Sequence, residues 1–361
     1  MKQKICLAAM VLYGAFTSGA HASAVTLYGI LDEGPTFVTN VSGNHRWSLD
    51  SGELQQSRFG FQGTEDLGGG YSAFFRLEQG FNLSNGAEAT TGLAFHREAR
   101  VALQTPAGSI SMGRQPAPTV DALTIYSSAG MTYGPAYYSA HPGDLDRTLN
   151  IPIDNSVKYT SPTYLGFTAI GLWSFGGQPG DFLLNSTRSA ALTYANGPIS
   201  AGAAYMRAFG ANVTNAALFS IGSNPIGPTG PNDSLQTFGF GASYQFTNLL
   251  VHLLFTQSRF DQAQTQARVY EIGIKKDLTP FLVLGADYNY TQVRDRAHIQ
   301  VGSVSADYFL SKRTDIYGLV AMESASGRNA SGGELNAQIF TLPASSSSRQ
   351  LVVHLGLRHR F

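Results

Sequence analysis

Only 13% of the 361 residues are charged, 40 are glycine and 11% are aromatic; average soluble domains carry about 25% charged residues. The formal charge is zero, which speaks against a nucleic-acid binder held by a basic surface. Beyond the N-terminus no apolar run approaches the ~20 residues of a membrane-crossing helix. What remains is a chain of strands with one apolar and one polar face, in a membrane barrel or a large secreted β-sandwich array.

The first segment reads as an export signal. Lys2 and Lys4 form a positive start, Ile5 to Phe16 an apolar stretch, and Ala20-His21-Ala22 a small-x-small cleavage pattern. Cleavage is expected after Ala22, with Ala24 as the alternative, so that 1–22 is removed and 23–361 forms a single barrel domain. Cys6 is the one cysteine and leaves with the signal, so neither a disulfide nor a thiolate metal site is expected. Removing Lys2 and Lys4 from the 24 Lys and Arg leaves 22, against 24 acidic residues.

Sixteen segments of two-residue alternation follow, over 25–38, 57–64, 70–82, 95–104, 109–115, 153–161, 166–175, 187–195, 199–208, 235–246, 249–259, 267–277, 281–292, 299–309, 314–322 and 349–361. Tight turns such as Thr247-Asn248 alternate with long Gly/Ser/Asn-rich connections at 39–56, 83–94, 116–152, 209–234 and 323–348. One set of short ends and one set of long ends is the asymmetry of a transmembrane barrel. The last segment alternates clearly: Val353, Leu355, Leu357, His359 and Phe361 share one face, Val352, His354, Gly356, Arg358 and Arg360 the other. In lipid every backbone polar group needs a partner, so such a sheet must close. In 281–292, Tyr288 and Tyr290 share the face suited to an interfacial aromatic girdle.

Several stretches resemble the general porins of β-proteobacteria over nearly the whole length. They are Val25-Thr26-Leu27-Tyr28-Gly29, the run from Ser57 to Gly70, Phe75 to Phe81, Gly113-Arg114-Gln115, Asn155 to Pro162, Tyr308 to Thr314 and Gly356 to Phe361. The resemblance implies an all-β fold: a 16-stranded antiparallel transmembrane β-barrel with an inward-folded third loop. It further implies a homotrimer in the Gram-negative outer membrane, in contact with lipid and lipopolysaccharide, and Phe361 as the signal read by the barrel-assembly machinery. Two positions depart from the pattern: Ile30, where several related porins place a basic pore residue, and Ala102, where the family usually has glycine.

A barrel of this size keeps an aqueous lumen, and segment 116–152 is long enough to narrow it. It carries Pro116, Pro118, Pro135, Pro142 and Pro152 and Tyr126, Tyr133, Tyr137 and Tyr138. Strand parity places Arg58 in the lumen opposite Phe59 and Phe61, and Arg76 and Glu78 inward opposite Phe75 and Leu77. Lys158 shares the polar face of Ser156 and Thr160. The resemblance marks Arg97 as inward, which would turn Arg100 outward, to a trimer interface or a rim. The expected constriction is a basic wall of Arg58, Arg97 and Lys158, with Arg76 and Arg114 as further members. Asp121 on the loop and Glu78 are its acidic partners. A net positive constriction gives mild anion preference. No Gly-x-Ser-x-Gly, His-Glu-x-x-His or phosphate-loop motif occurs, so no enzyme activity, cofactor or metal is expected. The reading is passive diffusion of small hydrophilic solutes and ions; the alternatives are a substrate-selective channel, a barrel hydrolase and an adhesive barrel.

Overall fold

The computed structural model describes residues 25–361 except 132–135, 150–151, 211–219, 222–223, 226–232, 264 and 329–331. The expected signal 1–22, Tyr133 and Pro135 lie outside the described residues. In chain order the strands are β1 Val25–Val41, β2 Asn44–Ser51, β3 Arg58–Gly68, β4 Tyr71–Gly80, β5 Glu98–Thr105, β6 Gly108–Pro116, β7 Pro152–Thr160, β8 Phe167–Ser174, β9 Thr187–Asn196 and β10 Ile199–Phe209. The two-residue pair β11 Ser220–Ile221 and β12 Asn224–Pro225 lies in a long loop. Then come β13 Ser234–Gln245, β14 Leu249–Phe260, β15 Gln266–Thr279, β16 Leu282–Val293, β17 Ala297–Phe309, β18 Thr314–Gly327 and β19 Arg349–Arg360.

Each wall strand pairs antiparallel with the next, and β1 pairs with β19, so the sheet closes. Seventeen strands join this sheet, but β2 and β3 occupy successive halves of one edge of β1: Glu33–Val41 faces β2 and Val25–Ile30 faces β3. They form one stave interrupted at 52–57, and the barrel has sixteen staves. Closure leaves no unpaired edge in lipid. At the seam the Gly29 and Phe361 backbones exchange two hydrogen bonds, of 3.2 and 3.1 Å. The Phe361 ring lies over Gly29, where any Cβ would come within 2.3 Å of it.

The alternation read from sequence holds in space. On β17, Ala297, Ile299, Val301, Ser303, Ser305 and Asp307 are buried toward the lumen, while Val304 and Tyr308 are exposed on the outside. On β19, Val352, His354 and Arg358 are buried inside and Leu355, Leu357 and Phe361 exposed outside.

Two expectations need correction. Residues 39–56 are not mainly loop. A two-residue turn at Ser42-Gly43, with φ of 52° and 98°, is the positive-φ hairpin turn that suits twisted strands, and β2 follows it. The inward row Arg46, Ser48 and Asp50 alternates with the exposed Trp47 and Leu49. The interruption at 52–57 folds inward, burying Leu54 and Ser57; the Ser57 hydroxyl accepts from Asp32 N and donates to Asp32 O.

Segment 323–348 is not wholly external either. β18 continues to Gly327, and 334–345 turns back into the barrel mouth. Leu335 and Ala337 pack on Ala297, Ile299, Val301 and Ala325. Ile339 and Leu342 pack on Val38, Leu319 and Val352. The cause is the wall: its inward positions near the mouth of β17 and β18 are apolar, and bare exposure to lumen water would cost about 25 cal/mol per Å2. The backbone of this segment is tied by Gln338 N to Glu323 at 2.7 Å and Ile339 N to Gln350 at 2.8 Å.

Candidate functional site: the lumen and its inward loop

Loop 116–152 folds into the barrel, and its track can be followed contact by contact. It opens with the short helix α1, Pro118–Leu123, with Pro118 in its first turn, where a missing N–H costs nothing. Lys158 on β7 fastens this root, donating to Asp121 at 2.7 Å and to the Pro116 carbonyl at 3.0 Å. The next turn lies in a trough of small residues. A Cβ on Gly241 would fall 2.3 Å from the Tyr126 ring, and one on Gly202 2.4 Å from the Ala122 carbonyl. The Tyr126 hydroxyl meets Ser200 at 2.6 Å, and its carbonyl meets His252 Nδ1 at 2.7 Å. Farther on, Ser128 N donates to Glu271 at 2.7 Å and Asn289 donates to the Ser139 carbonyl at 2.9 Å. The loop then reaches across to β2, where Tyr138 is fully buried and its hydroxyl stands 3.5 Å from Asp50. Tyr137 N donates to the Glu53 carbonyl at 3.2 Å.

His141 is the central latch. Its Nδ1 meets Asp146 at 2.5 Å and its Nε2 meets Glu271 at 2.7 Å. Two carboxylate acceptors require both ring nitrogens to donate, hence an imidazolium. Burial alone would lower the His141 pKa, but Asp146 and Glu271 outweigh it and hold the group well above its usual 6.5. Burial pushes the Asp144 carboxyl up to about 7, with Asp146 adding to the rise. Burial would also raise Asp146, yet His141 keeps it below 3.8. Both raised groups stabilise the seated loop at low pH and cease to do so as pH climbs through their folded values; the depressed Asp146 acts only at the acid end. Also facing His141 are Glu271 on β15 and Asp287 on β16, with His252 on β14 beside Glu271. The expected outcome is a looser loop on the alkaline side. Single-channel current noise should rise as pH climbs through about 7, and Asp144→Asn should remove most of that dependence.

Opposite the loop, β3, β4 and the start of β5 carry a charged wall. Glu78 accepts from Arg97 at 2.7 Å, lies 3.5 Å from Arg58, and accepts from the Tyr28 hydroxyl at 2.9 Å. Arg76 stands 3.5 Å from Glu98 and donates to Gln62 at 2.8 Å. Arg100 pairs with Glu98 and lies over the Phe74 ring. Arg97 also bonds Gln56 and the Tyr137 hydroxyl. Four arginines thus face two glutamates, and the wall is net positive.

Arg58, Arg76, Glu78 and Arg97 therefore come together in the lumen. Three other placements differ from expectation. Arg100 faces inward, because its register partner is the inward Arg76. Arg97 precedes β5, so strand parity does not bind it, and both arginines reach the same side. Arg114 is not a pore residue. It pairs in register with Ala99, in the outward row with the exposed Met112, and bonds Asp154 at 2.5 Å. Lys158 and Asp121 do not stand across the pore from one another; they form one ion pair that anchors the loop. Ile30 is buried on the lumen side, so the departure from the basic pattern stands at an inward position.

Sequence reasoning missed Glu98, Tyr28, Tyr137 and the His141 latch. The first two were accessible from strand parity; the others depend on where the loop travels. Among the described residues, His252, Glu271 and Asp287 bring possible metal-ligating atoms within 4.8 Å of one another. Glu271 there already holds Ser128 and His141, so the group serves the loop.

A closed sixteen-stave barrel, apolar outside and charged within, with a long loop seated in its bore, defines a transmembrane porin. The chain belongs to the Gram-negative porin family, whose profile matches residues 7–328. It is 30% identical to an outer membrane porin protein of Bordetella pertussis over 284 residues, 71% of this chain and 69% of the relative. It is 28% identical to outer membrane porin protein 32 of Delftia acidovorans over 380 residues, 100% of this chain and 99% of the relative. The fold is similar to that of an anion-selective porin from Comamonas acidovorans, with a TM-score of 0.78 at 24% identity, covering 94% of this chain and 100% of the other. It is also similar to OmpT of Vibrio cholerae in its trimer form, with a TM-score of 0.67 at 14% identity, covering 94% and 100%. The protein is an outer-membrane porin, a passive channel for small hydrophilic solutes and ions, with the fold and family of channel proteins.

Proposed function

We propose that the narrowest part of the pore lies between the inward loop and the wall of Arg58, Arg76, Arg97 and Arg100, and that it gives mild anion preference. One observation carries this reading: on that wall four arginines are balanced by only two carboxylates, Glu78 and Glu98. Cationic side chains lining a narrow aqueous path raise the local anion concentration and repel cations. The similar Comamonas porin is described as anion-selective, which supports the same sign. Lys158 and Asp121 act in holding the loop.

The reading includes removal of 1–22, with 23–361 as one barrel domain, assembly as a homotrimer, and Phe361 as the mark read during membrane insertion. The seam position of Phe361 supports the last, since pairing with Gly29 completes the barrel. The trimer form of OmpT supports the second. No catalytic role is assigned. Reversal potentials across a planar bilayer under a KCl gradient test the selectivity: the expected sign is that of chloride, and clear cation selectivity would reject the proposal.

A further inference from the structure

Behind the seated loop, four inward positions on neighbouring strands stand in one register row. His252 on β14 pairs with Gly273 on β15, Gly273 with Asp287 on β16, and Asp287 with Ser303 on β17. Gly273 keeps the middle of the row open: a Cβ there would collide with His252 Nε2, so the imidazole lies across β15. Glu271 is the neighbouring inward residue of β15. Its carboxylate, His252 and Asp287 each bring one ligand atom within 4.8 Å of the others.

Each donor is set up as a ligand. His252 Nδ1 meets the Tyr126 carbonyl at 2.7 Å. A carbonyl only accepts, so Nδ1 carries the hydrogen and the neutral ring presents the lone pair of Nε2. A histidine oriented in this way by a backbone carbonyl has the usual form of a metal ligand. Glu271 accepts from Ser128 N with one oxygen and from His141 Nε2 with the other. An ionised carboxylate offers about four lone pairs, so each oxygen keeps one. Asp287 is 6% exposed, and among the described residues neither of its oxygens has a hydrogen-bond partner. The same holds for the buried Ser303 Oγ in register with Asp287, and for the buried Asn289 Oδ1 in register with Glu271. Leaving buried acceptors without a donor is costly. Charge adds to that cost: Asp146, Glu271 and Asp287 against the His141 imidazolium leave an excess of two negative charges when all three carboxyls are ionised. A dication cancels this excess; a single proton cancels half of it.

We propose that His252, Glu271 and Asp287 bind one divalent cation of the zinc class, and that the ion pins the inward loop to the barrel wall. The donor set selects the class: an imidazole nitrogen with two carboxylates suits zinc, whereas calcium and magnesium take oxygen ligands. A tetrahedral zinc with bonds of about 2.1 Å holds its donors about 3.4 Å apart. The three side chains therefore draw in by no more than about 1.4 Å from their present spacing, a shift that the carboxylate torsions supply. Water fills the fourth position. Two of the ligands also hold the loop, His252 through the Tyr126 carbonyl and Glu271 through Ser128 and His141. Fixing them on the ion fixes the loop with them.

The test uses the refolded full-length mature protein, stripped with EDTA and dialysed in detergent against micromolar ZnCl2. The wild type should take up one zinc per chain, and a millimolar excess of MgCl2 should not displace it. Asp287→Asn and His252→Gln should each weaken uptake at least about tenfold, a loss that even an outer-shell contact produces. His45→Gln and His359→Gln, at exposed positions, should leave it unchanged. Zinc should quiet the single-channel current noise of the wild type and not that of Asp287→Asn. Should either substitution prevent the barrel from forming, crystals of the wild type grown with ZnCl2 decide alone: one anomalous peak at the zinc edge is expected between the three side chains. No uptake by the wild type, uptake indifferent to both Asp287→Asn and His252→Gln, or anomalous density only at exposed histidines would overturn the site. Current noise that is the same with and without zinc would overturn the pinning of the loop. The site rests on the seating of the loop and not on ion selectivity, so zinc uptake by a protein that passes no current leaves it standing.

Discussion

Replacing residues 118–149 with a short Gly-Ser turn should raise single-channel conductance about two- to threefold, because the loop is the segment that fills the bore. The replacement is geometrically mild: Pro116 and Pro152 are already register partners, so the strand ends stand side by side without the loop. The loop's removal clears α1 and the Tyr126 turn from the wall of β8 to β14 and frees the Tyr138 side of the lumen. The increase stays modest because two other inward segments, 52–57 and 334–345, remain seated. Single-channel recording checks the outcome. Unchanged conductance would move the narrowest point to one of those two segments.

Reversing charge on the arginine wall should reverse ion preference. Arg58→Glu together with Arg97→Glu changes the wall from four arginines and two glutamates to two arginines and four glutamates. The reversal potential under a KCl gradient should change sign, whereas the paired glutamine variants should fall between. Both side chains lie on the lumen side rather than in lipid, and circular dichroism of the refolded variants checks that the barrel still forms. A reversal potential equal to that of the wild type would mean that ion selection is made elsewhere in the lumen.

The barrel was legible in the sequence because its physics is repetitive. Lipid on one side and polar surroundings on the other force a two-residue period, and all sixteen staves announce themselves by it, one of them only through its lower half, β3. The upper half of that split stave, β2, is only eight residues long amid Gly, Ser and Asn, so its Arg46, Ser48 and Asp50 row read as loop polarity. The inward return of 334–345 left a trace that was not used: Ile299, Val301, Leu319 and Val352 share the lumen face, and apolar lumen positions require a cover.

The site was legible in part. Parity found Arg58, Arg76 and Glu78, since these lie within regular strands. Arg97, marked inward by the resemblance, lies in the lumen; parity failed for Arg100 because the alternation does not extend from Arg97 across the start of β5. Arg114 was placed in the wall without a parity argument; alternation with the exposed Ile110 and Met112 puts it on the outward row. The pairing of Lys158 with Asp121 and the clasp of His141 between Asp146 and Glu271 join a loop to distant strands. No sequence period encodes such contacts; they follow from the glycine trough at Gly202, Gly239 and Gly241 that fixes where the loop lies.

The central claim is a continuous aqueous path through the closed barrel beside its seated loop. Single-channel recording of the refolded wild type in rising KCl tests it most directly. Discrete, ohmic steps whose size grows in proportion to salt are expected. A protein that inserts into the bilayer, verified by protease protection, yet gives no steps would show that the loop and the two shorter inward segments together seal the bore.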